Sequence, residues 1–162
     1  MKKVLGILVV TMMATTALLA APVGSIGWGT VGVTAKNISA LTQTMALQPN
    51  SGVAHALTVH AQQAQADIQA LYAIDTTQLS AEEMTSYSTA LTNFNFVLRS
   101  AVAVLYGTGY VNEAQECATA CNNLIDYVES RASVDPVFYI NATASPVGAI
   151  GWGTVGLIRL PF

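Results

Sequence analysis

Met84, Tyr87, Leu91, Phe94, Leu98, Ala101 and Leu105 succeed one another at alternating steps of three and four residues. That rhythm keeps all seven on one stripe of an α-helix and would scatter them over both faces of a strand. Ahead of the stripe, Ser80 and Glu83 have capping-box spacing and Leu79 can staple onto Met84, which marks a helix start. Gly107-Thr108-Gly109 supplies the stop. Three further stretches repeat the rhythm. Residues from about 35 to 48 carry Ile38, Leu41 and Met45 and halt at Pro49-Asn50-Ser51-Gly52; about 53 to 74 carry Leu57, Ala61, Ala64, Ile68 and Leu71; about 110 to 131 carry Ala114, Cys117, Cys121, Leu124 and Val128. The pattern predicts a mainly α protein, an antiparallel four-helix bundle over residues 34–132 that reduces to three helices if the first does not form.

The bundle segment is bracketed by a repeat. Pro22-Val-Gly-Ser-Ile-Gly-Trp-Gly-Thr-Val-Gly-Val33 returns as Pro146-Val-Gly-Ala-Ile-Gly-Trp-Gly-Thr-Val-Gly-Leu157, changed only at Ser25/Ala149 and Val33/Leu157. Both tryptophans of the chain lie inside it. At a period of two, Ile26, Trp28 and Thr30 share one face, as do Ile150, Trp152 and Thr154, with glycine and valine on the other. Glycine weakens a strand unless a second surface approaches its bare face. The expectation is therefore a small β element formed by the two Gly-Trp-Gly repeats, one over 21–33 and the other in a β-prone segment over 133–162 that also holds Pro136-Val-Phe-Tyr-Ile-Asn-Ala-Thr143. An even number of antiparallel helices returns the chain to its starting end, which would bring the two repeats together there.

Residues 1–20 read as a secretory signal peptide: Met1-Lys2-Lys3, then an apolar run ending in small residues at Ala20. This predicts an exported protein of the periplasm, cell envelope or extracellular space. A retained anchor is the rival reading, and Pro22 with the glycines behind it makes a poor continuation of a spanning helix. The full chain has 162 residues, 6 basic against 9 acidic, and is 52% hydrophobic. Only four Lys or Arg residues lie beyond position 3, too few for the cationic surface that nucleic acid requires. Low charge with high hydrophobicity also excludes an intrinsically disordered chain.

Chemistry-bearing residues are few. Cys117 and Cys121 stand one helical turn apart on the apolar seam, a spacing that a regular helix does not easily bridge with a disulfide. A distorted disulfide, a buried reduced pair and a soft-metal site all remain open on spacing alone. The Cys-Ala-Thr-Ala-Cys segment resembles the Cys-x3-Cys pairs of helical-bundle copper-storage proteins, which carry many such pairs where this chain carries one. The resemblance implies a small Cu(I) or Zn(II) site on Cys117 and Cys121 with His60 or a methionine. His55 and His60 diverge by about 140° on a helix and do not share a metal face. His60, Gln63 and Asp67 do align, as a hydrogen-bonded polar patch would. No nucleophile elbow, phosphate loop or zinc-protease helix occurs, and Glu82 and Glu83 suit the helix cap better than paired acid and base catalysis.

These features predict a non-catalytic structural or interaction protein with no cofactor, assembling with itself or attaching to another envelope protein through Ile26, Trp28, Thr30, Ile150, Trp152 and Thr154. The alternative is a metal-binding or redox module on Cys117 and Cys121, taking copper or zinc. A third expectation is a membrane-surface contact, in which the repeats lodge at a lipid interface that favours tryptophan.

Overall fold

The computed structural model describes residues 28–134 and 159–162; residues 1–20 with their expected signal peptide, the segment 136–143, Ile26 and the whole second repeat lie outside the described residues. The described chain forms four helices: α1 (Trp28–Leu47), α2 (Ser51–Leu71), α3 (Ala81–Gly107) and α4 (Val111–Val134), with a short 3-10 turn at Thr76–Gln78 between α2 and α3. The mainly helical bundle read from the sequence is the observed fold.

The seams are the core. Ile38, Met45, Leu57, Ala61, Ala64, Ile68, Leu71, Tyr87, Leu91, Phe94, Leu98, Leu105, Cys117, Cys121, Leu124 and Val128 are all buried, and Leu79 packs against them. The helix starts follow from side-chain acceptors. Asn50 accepts the Val53 N–H at 3.0 Å to open α2. At α3 the Ser80 hydroxyl accepts the Glu83 N–H at 3.2 Å while the Glu83 carboxylate accepts the Ser80 N–H at 2.9 Å, the reciprocal pair that the spacing predicts. Gly109, with φ 88°, turns the chain from α3 to α4 in a conformation that costs other residues strain.

One boundary departs from expectation. The first helix begins at Trp28, so Trp28 to Val33, which the alternation assigns to a strand, are helical. Val31 explains the outcome: with Ala35, Ile38 and Met45 it extends the same buried seam backwards. Burying a valine side chain is worth about 1.5–3 kcal/mol. That offsets the roughly 1 kcal/mol that each of Gly29 and Gly32 costs a helix. Nothing lies within 4 Å of where a methyl group on Gly32 would sit, so no close approach demands glycine there.

The helices close into a ring in which α1 packs on α2 and α3, and α4 on α2 and α3, leaving α2 and α3 diagonally opposed. Contacts fix the directions. Thr34 near the start of α1 meets Asp67 near the end of α2, and Tyr87 near the start of α3 meets Tyr127 near the end of α4, so each hairpin is antiparallel. Arg131 of α4 reaches the Tyr72 and Ile74 carbonyls just past the end of α2, which makes α2 and α4 parallel neighbours. Residues 72–80 therefore cross the end of the bundle diagonally. The chain enters α1 and leaves α4 at that same end.

Candidate functional site

Polar groups enter the core in three clusters. Between α1 and α2, the buried Asp67 carboxyl accepts a hydrogen bond from the Thr34 hydroxyl on one oxygen and from Gln63 Nε2, at 2.8 Å, on the other. Gln63 and Asp67 lie one turn apart, as the sequence reading has them; Thr34 is the partner it does not foresee, because nothing local joins residues 33 apart. His60 is half-buried on α2.

At mid-height, Asn95 of α3 faces Cys121 of α4. The thiol donates to Asn95 Oδ1 at 3.3 Å, and Arg99 Nε donates to the same oxygen at 3.0 Å. Cys117 and Cys121 are free thiols, fully buried and one turn apart in α4. Burial pushes the Cys117 thiol up to about 12, aided by the nearby Glu116 and Cys121 charges. Burial likewise raises Cys121 to about 11, against a small opposing pull from Arg99. A neutral amide is too weakly basic to take a thiol proton, so Asn95 orients the sulfur without activating it. Among the described residues no three His, Cys, Asp or Glu side chains converge to hold a metal ion, and His60 does not join the cysteines as a third ligand.

Near the end where the chain enters and leaves, the Tyr87 and Tyr127 hydroxyls share a buried hydrogen bond. Burial raises both phenols above their usual range. The Tyr72 ring meets Tyr127 edge-on at 4.9 Å between centroids, and the Arg131 guanidinium lies 5.7 Å from the Tyr127 centroid. These aromatic and cationic contacts brace the diagonal crossover.

On the outer face of α4 the last four residues of the chain are docked. Arg159 forms ion pairs with Asp126 and, at 3.3 Å, with Glu129. The Leu160 N–H donates to Asn122 Oδ1 at 2.9 Å, and Asn122 Nδ2 donates back to the Leu160 carbonyl at 3.2 Å. Leu160 packs against the core, and Phe162 meets Tyr106 at 5.8 Å between centroids. Asn122, Asp126 and Glu129 fall at i, i+4 and i+7, one stripe of α4, which is the signal in the sequence that could have marked this face.

Of the expected interaction residues, Trp28 and Thr30 lie in the first turn of α1, and Ile26, Ile150, Trp152 and Thr154 lie outside the described residues. A groove of about 390 Å³ runs between the first halves of α1 and α3, lined mainly by small side chains including Gly32, Ala35, Ser39, Ser86 and Ala90. Among the described residues, no helix is long and apolar enough to cross a membrane. The site and fold define a four-helix bundle with a buried pair of free cysteines. Comparisons with protein families, curated proteins and solved structures find no match for this chain.

Proposed function

We propose that this is an exported, non-catalytic protein of the cell envelope or extracellular space whose terminal Gly-Trp-Gly repeats carry self-assembly or attachment to another envelope component. The observation that supports the reading most is topological. Twelve nearly identical residues occur twice, and the chain enters α1 at the end where it leaves α4. Arg159, two residues beyond the second copy, is held on the half of α4 nearest that end. Two copies of one motif presented at one end of a rigid bundle form a bivalent surface, and bivalency multiplies weak contacts through effective concentration. Trp28 and Trp152 are the anchors in this reading, because a rigid aromatic gives large contact area at small entropic cost. Strand pairing is proposed only for residues 22–27 and 146–151, since the first copy is helical from Trp28 onward.

The test is the Trp28→Ala/Trp152→Ala double variant, with mass followed by light scattering over a dilution series. Loss of discrete oligomers with helix content unchanged is the expected result. Oligomers that persist in the double variant overturn the reading, as does a wild-type protein that stays monomeric and binds no envelope fraction.

A further inference from the structure

We propose that the outer face of α3 and α4 is a recognition site for the chain's own C-terminal peptide, and that its occupant can be exchanged between copies. The site is built for an extended segment of defined chemistry. Asp126 and Glu129 take a cation at the first position, and the Asn122 side chain reads both backbone groups of the second as a neighbouring strand would. The second side chain, Leu160, reaches the core, and Tyr106 receives the aromatic ring of the last. Around Pro161 the Phe162 N–H folds back to the Leu160 carbonyl at 2.9 Å, a tight turn that fits the proline between them and aims the ring at Tyr106. None of these contacts involves a repeat residue, so the inference stands apart from the assembly reading.

Chain length makes exchange feasible. Asn122 lies 12 residues before the end of α4, a rise of about 18 Å along the helix. The 24 residues 135–158 could span up to about 80 Å. The tail is therefore not forced onto its own bundle. Tethering through a connection of this length holds it there at an effective concentration around the millimolar range. A second copy brought to comparable local concentration competes for the same face, which is the condition for swapping an identical element between protomers.

The test uses the full-length chain and a fluorescent Ile-Arg-Leu-Pro-Phe peptide followed by anisotropy. A receptor with its own tail weakened, Arg159→Ala/Leu160→Ala/Phe162→Ala, should bind the peptide saturably. The wild type should bind it at least tenfold more weakly because its resident tail competes, and adding Asn122→Ala to the receptor should abolish binding. No saturable binding at millimolar peptide, equal binding by wild type and receptor, or indifference to Asn122→Ala each overturns the proposal. Trypsin gives a second reading that needs no open receptor: cleavage after Arg159 should be at least tenfold faster in an otherwise wild-type Asn122→Ala chain. Equal cleavage rates would mean that Asn122 does not hold the tail.

Discussion

Helices α2 and α3 face each other across the diagonal of the bundle and fill it in opposite ways. The α2 seam alternates small and medium side chains, with Ala54, Ala61 and Ala64 among Leu57, Ile68 and Leu71, and its buried polar group is the carboxyl of Asp67. The α3 seam carries Tyr87, Phe94 and three leucines, and its buried polar groups are a phenol, an amide and the Thr92 hydroxyl. The difference teaches how a near-square core is filled to high density: bulk supplied by one corner is matched by alanine at the opposite one. It also separates two ways of burying polarity. Asp67 receives donors on both oxygens, whereas Thr92 Oγ1 is buried with no partner.

The largest break should come from removing bulk on the α3 side. Phe94 is fully buried, so Phe94→Ala leaves a cavity, and urea unfolding should show a loss of about 3–5 kcal/mol. Adding bulk on the α2 side comes next. Ala61 is fully buried, so Ala61→Leu must displace neighbours and should cost about 1–3 kcal/mol in the same assay. A change within about 0.5 kcal/mol of zero for either variant would show that the two corners do not compensate each other.

The buried thiols extend the comparison to pH. A thiol whose folded pKa lies above its unfolded value keeps its proton after the unfolded chain has lost it, so rising pH favours unfolding. For Cys117 and Cys121 this loss should begin near the ordinary thiol value of 9.0 and run towards about 12 and about 11. Between pH 9 and 10 the thiols contribute most, because the buried phenols Tyr87 and Tyr127 add to the loss only as pH approaches the ordinary tyrosine value of 10.0. Denaturation midpoints of a Cys117→Ala/Cys121→Ala chain should fall less steeply over that interval than those of the wild type. The smallest expected effect is a gain. Thr92→Val replaces an unpartnered hydroxyl by a methyl of similar shape and should stabilise the protein by about 1 kcal/mol in thermal unfolding.

Periodicity carried most of the fold into the sequence, because each seam residue is buried for the same reason it is apolar. Ser80 and Glu83 announced the start of α3 through a purely local bond pair, and local bonds are what a linear sequence displays. The start of α1 is ambiguous in the sequence for a related reason. Val31 fits both the strand alternation and the helical seam, and only the long-range burial of Val31 selects the helix. The polar contacts were less legible. Gln63 and Asp67 share a turn, but Thr34 to Asp67 and Asn95 to Cys121 join different helices, and helix order around the ring decides who meets whom. The docked tail could be read only as a stripe of polar residues on α4, since its ligand is the chain's own terminus.

Arg131 has a consequence for the order of folding events. Its guanidinium donates to the Tyr72 and Ile74 carbonyls at 2.6 and 3.0 Å, 59 and 57 positions upstream. Each hairpin closes a short loop and can form rapidly by itself, but the parallel pairing of α2 with α4 requires a long one. A nascent chain that ends before residue 131 lacks this tie across the crossover. The crossover is therefore anchored to α4 only when the fourth helix is nearly complete.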